Sequence, residues 1–209
     1  MKVTIIGSGN MARGLGSRLL AGGHRVNVLG KEVQAAEDVV NDLGAGDSAD
    51  AGRSGDPITD DVVVLAVYFP DAMGAIEQYR DQLDGKVVVD ITNPVNENFD
   101  GLATPPDGSA AQELAAAAPG ARVVKAFNTT FANTLREGAV AGQPLDVLIA
   151  SDDDDAKATV AKLAEDGGLR AVDAGPLRRA RELEAAGFLH MGVQGTLGTG
   201  FASALKILS

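Results

Sequence analysis

The sequence predicts an α/β fold: a doubly wound parallel sheet with a small C-terminal extension closing over the cleft at its edge. Three observations carry this reading. Apolar β-branched runs recur along the chain, helical patterns separate them almost to the end, and a glycine-rich turn joins the first run to the first helix. Near-continuous apolar runs are what strands buried on both faces of a parallel sheet require.

Val3-Thr4-Ile5-Ile6 reads as the first strand, and Met11, Leu15, Leu19 and Leu20 recur at helical spacing, so a helix spans Asn10 to Ala21. Further strands are expected at Arg25 to Leu29, Val62 to Val67, Lys86 to Ile91, Arg122 to Ala126, Asp146 to Ala150 and Arg170 to Val172. Helices are expected at Val33 to Leu43, Pro70 to Leu83, Ser109 to Ala117, Asp153 to Glu165 and Pro176 to about Gly192. Gly, Asp, Ser and Ala dominate Gly44 to Pro57, which reads as a loop with room for one short strand. Residues 1–150 are expected to form a dinucleotide-binding domain, and residues 151–209 a small αβ and helical portion packed on it.

The chain has 209 residues and a formal net charge of −11, which argues against a broad basic surface for nucleic acid or anionic lipid. It contains no cysteine, so disulfides, a thiol nucleophile and thiolate metal sites are excluded, and two histidines without close partners offer no metal-ligand spacing. No apolar stretch reaches membrane-spanning length, and the sequence begins directly with a core strand; a soluble cytoplasmic protein is expected.

Gly7-Ser8-Gly9-Asn10-Met11-Ala12 fits G-x-G-x-x-A between a strand and a helix. Gly7 would permit the tight turn, Gly9 the approach of a pyrophosphate to the backbone, and Ala12 the close packing of helix on sheet. The free N–H groups of the helix start would bind the anion. An acidic residue at the end of the second strand would bind the ribose hydroxyls of NAD, but the tip here reads Gly30-Lys31, so Lys31 is expected to meet the 2′-phosphate of NADP, unless it is a solvated first-turn residue.

In such a sheet, ligands lie outside the carboxyl ends of the strands. The end of the next run delivers Ala66, Val67, Tyr68, Phe69 and Pro70, expected as an apolar wall beside the nicotinamide, or as an ordinary helix start with Pro in its first turn. Thr92, Asn93 and Pro94 follow the strand after that, offering hydrogen-bonding groups or a simple turn. "KAFNTT" brings Lys125, Asn128 and Thr129 to the same rim as candidate substrate contacts, with a salt bridge the other reading of Lys125. Asp152 to Asp155 read as a helix cap and acidic first turn rather than a metal site. His24 reads as structural. His190 is expected as a core group or, alternatively, a substrate contact; Arg178, Arg179 and Arg181 as a solvated helix start or a site for an anionic tail.

Taken together, "IIGSGNMARGL", "VVVDITNP", "AAQEL", "VVKAFNTTFANTL", "DVLIASDDDDAK" and "AVDAGPLRRARELE" resemble the coenzyme F420:NADP oxidoreductase family and related dinucleotide-binding oxidoreductases, whose fold also serves as the reductase domain of six-transmembrane metalloreductases. The resemblance spans nearly the whole chain. It implies a Rossmann-type domain that binds NADP, with Ser8, Gly9, Asn10 and Met11 at the diphosphate, Gly30 and Lys31 at the adenosine phosphate, and Val67 to Pro70 flanking the nicotinamide. It also implies direct hydride transfer to or from a deazaflavin (coenzyme F420) or a flavin-like acceptor, which requires ring stacking and exclusion of water more than an acid or base. Two departures stand out: Gly30-Lys31 replaces the Ser-Arg typical of the deazaflavin enzymes, and Gly44 to Pro57 replaces a fuller strand–helix unit. Two other readings stay open: an NADP-dependent reductase of a small carbonyl or imine, whose relatives carry a large helical domain for which the residues after Ala150 leave no room, and a non-catalytic NADP-binding regulator. The partner implied is a small redox acceptor, and the apolar end from Phe188 to Leu208 suggests either a homodimer or a segment that covers the sheet edge within one chain.

Overall fold

A computed structural model describes residues 1–208. In chain order the elements are β1 (Lys2–Ile6), α1 (Asn10–Ala21), β2 (Arg25–Gly30), α2 (Val33–Leu43), β3 (Ala49–Arg53), β4 (Val62–Leu65), α3 (Phe69–Tyr79) and β5 (Val87–Asp90). There follow α4 (Ala110–Ala117), β6 (Arg122–Lys125), α5 (Ala132–Glu137), the short hairpin β7 (Ala139–Val140) and β8 (Gln143–Pro144), then β9 (Asp146–Ala150), α6 (Asp154–Asp166), β10 (Arg170–Gly175), α7 (Ala180–Gly192) and α8 (Gln194–Leu197).

One eight-stranded sheet holds the molecule together, in the order β10-β9-β6-β5-β4-β1-β2-β3. From β3 to β6 every neighbour is parallel. The order reverses between β1 and β4, which opens a crevice at the carboxyl edge where ligands of such sheets bind. All four residues of β4 and of β5 are buried, as their uninterrupted valine runs require. Side chains alternate between two cores. Val3 and Ile5 of β1 pack with Leu15, Leu19, Val39, Val160 and Leu163 on one face. Ile6 packs with Ala72, Ile76, Tyr79, Ala111 and Leu114 on the other.

The structure bears out one sequence reading and corrects two others. Residues 44–57 hold the one short strand for which there was room: β3 pairs along its whole length with β2, Ala49 to Arg53 beside Val26 to Gly30. The sheet is mostly rather than wholly parallel, because β9 meets β6 antiparallel at the single pair Lys125↔Ala150. Beyond that pair β9 runs past the carboxyl end of β6 with β10 parallel at its side. Finally, α5 and the β7–β8 hairpin occupy a stretch assigned no element. Their apolar residues are few, and α5 exists by packing on α1, where a methyl group at Gly14 would lie 2.7 Å from the Ala132 carbonyl oxygen.

The acidic run behaves as an N-cap. The Asp153 carboxylate accepts from the Ala156 N–H at 2.8 Å and from Arg122 through two bonds of 2.6 and 2.7 Å, so the start of α6 is pinned to the start of β6. The Arg122 hydrogen bond and the Ala156 N–H hold the Asp153 carboxyl well below the usual carboxylate range. Its neighbour Asp152 accepts from the Leu177 N–H, and Arg179 and Arg181 lie near Glu182 on the exposed start of α7.

Candidate functional site

The expected cofactor residues all lie on the carboxyl edge, at the ends of β1, β2, β4 and β5. Gly7 follows β1 with φ at +122°, and its N–H donates to the Leu29 carbonyl at 2.8 Å. A methyl group there would sit 2.3 Å from the Ala66 carbonyl oxygen and 2.9 Å from Val67 Cγ1, so only glycine lets the turn tuck against the end of β4. Gly9 differs. It is exposed, and a methyl group at Gly9 would meet nothing within 4 Å, leaving open space in front of α1. No side chain caps α1 and its first turn carries no acid, so the outward N–H groups of Asn10 and Met11 are available to an anion. Arg13 donates back to the Ser8 carbonyl at 3.0 Å and stiffens the turn.

At the β2 tip, Gly30 is buried under the start of α2. Lys31 is exposed, and its Nζ lies 2.8 Å from the Asp71 carboxylate at the start of α3. Tyr68 is 83% exposed, while Phe69 is half-buried against the second core and Pro70 occupies the first turn of α3. The helix-start reading of this segment therefore holds, and the Tyr68 ring stands free at the same edge.

Behind the ends of β5 and β6 lies a fully buried ionic lock. Lys125 is fully buried, and its Nζ donates to Asp90 at 2.8 Å, to Glu184 of α7 at 2.8 Å and to the Thr92 carbonyl at 2.6 Å. Asp90 also accepts from the Thr92 N–H at 2.8 Å, and Glu184 accepts from the Ala110 and Ala111 N–H groups at the start of α4. Burial raises the Glu184 carboxyl above the usual range despite its lysine partner. Of the two readings of Lys125, the ion pair is the one the structure adopts; its side chain cannot reach a ligand at the rim.

The lock fixes the Thr92–Asn93 turn from below, and α7 lies across it. Gly187 permits the approach, since a methyl group there would lie 2.5 Å from Asn93 Oδ1. Asn93 and Asn128 exchange amide hydrogen bonds: Asn93 donates to the Asn128 carbonyl, and Asn128 donates to Asn93 Oδ1 and to the Leu183 carbonyl, each at 2.8 Å. Pro94 is buried behind this pair. His190 is buried too, with Nδ1 3.2 Å from the Thr129 carbonyl and Nε2 2.8 Å from Ser203 Oγ, its ring 4.3 Å from that of Phe131. Burial lowers the His190 imidazole. Asn128, Thr129 and His190 thus join α7 to the strand ends; the Thr129 and His190 side chains are buried in protein, whereas Asn128 spends only its Nδ2 donors on protein and leaves Oδ1 without a partner. Phe127, at φ +61°, makes the left-handed turn that places them, and nothing in "KAFNTT" announces it.

Two buried polar atoms of this edge have no partner among the described residues, Thr92 Oγ1 and Asn128 Oδ1. Unpaired buried oxygens are costly, and at a ligand edge they mark positions where a bound group completes the hydrogen bonding. Together with the open space before Gly9, they fit a dinucleotide laid from β2 across α1 toward β5 and β6.

This sheet order, with its crevice at the carboxyl edge, is that of a Rossmann-type α/β fold. The family described as NADP oxidoreductase, coenzyme F420-dependent, matches residues 2–94. The chain is 34% identical over 200 residues to the F420-dependent NADP reductase of Methanothermobacter thermautotrophicus, covering 88% of this chain and 85% of that one. It is 33% identical over 184 residues to Metalloreductase STEAP3 of Rattus norvegicus, covering 88% of this chain but only 36% of that protein. A solved structure from Arthrobacter sp. FB24, described as a putative F420-dependent NADP reductase, superposes over 100% of both chains with a TM-score of 0.87 at 25% identity. The chain belongs to the F420-dependent NADP reductase family, a family of NADP-dependent oxidoreductases. Among the described residues, no helix is long and apolar enough to cross a membrane.

Proposed function

We propose that the protein transfers a hydride between NADP(H) and a deazaflavin, coenzyme F420, or a flavin-like ring seated at the carboxyl edge of the sheet. The observation that carries this reading is the pairing of an uncapped, unobstructed α1 start with unpartnered buried oxygens at the ends of β5 and β6. The names of the relatives point to the same acceptor. When bound, NADPH supplies the hydride; the chain supplies position.

In this reading the N–H groups following Gly9 hold the diphosphate, Ala66 to Pro70 flank the nicotinamide, and the Thr92 hydroxyl and Asn128 Oδ1 orient its amide. The Asp90–Lys125–Glu184 lock keeps the Thr92–Asn93 turn rigid, so the two rings meet without reorganising the wall. Asn93, Thr129 and His190 act by holding α7 over the edge rather than by touching the acceptor. In this reading no proton-transfer group is needed at the reacting carbon.

The test is to mix protein with NADPH and follow the loss of reduced-nicotinamide absorbance with oxidised coenzyme F420, and separately with FMN. Rapid oxidation with the deazaflavin is expected. Tight NADPH binding with no turnover on either acceptor would remove the hydride-transfer reading and leave an NADP-binding regulator.

A further inference from the structure

The cofactor of this family carries a 2′-phosphate, and in Rossmann-type sheets that phosphate lies at the tip of β2, where a cation replaces the acid of NAD-binding proteins. Lys31 is the cation that the sequence places there, yet its ammonium is already held by Asp71 at 2.8 Å. A second cation stands at the same tip. Arg53 ends β3 in register with Gly30, so the two residues are neighbours on adjacent parallel strands, about 4.8 Å apart across the ladder. The Ser54 N–H donates to the Gly30 carbonyl at 2.7 Å and fixes the two tips together.

Arg53 is exposed, and among the described residues its guanidinium makes no ion pair or hydrogen bond. The nearest acids in sequence, Asp50 and Asp56, are otherwise engaged: Asp50 lies 3.8 Å from Arg25, and Asp56 Oδ2 accepts the Arg53 backbone N–H at 2.7 Å. Gly30 brings no side chain between Arg53 and the tip. A planar guanidinium can grip a phosphate through two parallel N–H bonds, which a lysine cannot.

We infer that Arg53, from the strand least legible in the sequence, is the specificity-determining contact for the 2′-phosphate of NADP, with Lys31 secondary because Asp71 holds it. The inference rests on the NADP-binding reading above and adds the residue that enforces it.

The experiment titrates NADPH and NADH, by the rise in nicotinamide fluorescence, into the full chain and into Arg53→Ala, Arg53→Lys and Lys31→Ala. Arg53→Ala should weaken NADPH about tenfold, close to 1.4 kcal/mol, and leave NADH within about twofold. Arg53→Lys should recover part of the loss, and Lys31→Ala should cost less than Arg53→Ala. Unchanged NADH binding also reports that the variants are folded. The inference is overturned if Arg53→Ala leaves NADPH untouched, weakens both cofactors alike, or costs less than Lys31→Ala. A native chain that binds NADH as tightly as NADPH would overturn the 2′-phosphate reading itself, a result separable from the others because it needs no variant.

Discussion

Two glycines two positions apart do different work, and the difference can be measured. Gly7 is confined by backbone: its φ of +122° and the 2.3 Å approach to the Ala66 oxygen leave no room for a methyl group. Gly7→Ala is expected to cost about 3 kcal/mol of stability through strain and displacement of the β4 end, and to weaken NADPH binding with it. Gly9 has an ordinary φ of −86° and open space in front of it. Gly9→Ala should leave the urea midpoint within about 0.5 kcal/mol of native, while weakening NADPH about tenfold, because the methyl group stands where the diphosphate approaches. Equal losses of stability in the two variants would refute the distinction. Both glycines were legible in the sequence as the turn between a strand and a helix, which the structure places between β1 and α1. Thr92 Oγ1 and Asn128 Oδ1 were legible only as polar residues at a strand end; that they are buried and unpaired depends on the whole surrounding fold.

The elements that form the site are joined by contacts far apart in sequence, and there legibility fell away. Asp90 and Lys125 end neighbouring strands in register, a signal the sequence carries once β5 and β6 are known to pair. Glu184 carries no such signal: it reads as one of two acids in the first turns of α7, beside Glu182, and only the packing of α7 against α4 buries it completely. The β3 strand was obscured by its glycine and aspartate content; in the fold Ala49 is buried and Ala51 packs against the first core. The antiparallel entry of β9 was hidden because strand direction leaves no trace in an apolar run. The lock makes a firm prediction at this scale. Lys125→Met leaves the Asp90 and Glu184 carboxylates buried without their cation, and should destabilise the fold by about 3–5 kcal/mol, read as a fall in the urea midpoint. Adding Glu184→Gln removes one of the two stranded charges and should recover part of that loss. If the single variant were as stable as the native chain, the lock would have no structural role.

Across the whole molecule, the two histidines set the response to acid. Burial lowers the His24 imidazole from its ordinary 6.5, the neighbouring chain-terminal ammonium 3.0 Å from Nδ1 lowers it further, and Asp166, 3.2 Å from Nε2, only partly opposes them. Burial also lowers His190 from 6.5. The two tie remote parts of the chain to the core, His24 the beginning to the end of α6, His190 the final segment through Ser203. In the unfolded chain both bind a proton near pH 6.5, whereas the folded protein holds them neutral below that. The unfolded state therefore takes up more protons in this window, and stability is fully present above 6.5 and is lost as pH falls through the folded values. Glu184 acts in the other direction: raised in the fold, its contribution is complete below its ordinary 4.5 and fades as pH rises through the folded value. Lowered carboxylates such as Asp166 and Asp173 fail only at pH below their ordinary 3.8, so they do not affect the histidine window. Urea midpoints taken at about pH 7.5 and about pH 5.5 should show the native chain less stable at the lower pH, and His24→Gln with His190→Gln should reduce that difference. A native midpoint that does not move between these pH values, or a double variant that keeps the full difference, would show that the histidines do not control acid stability.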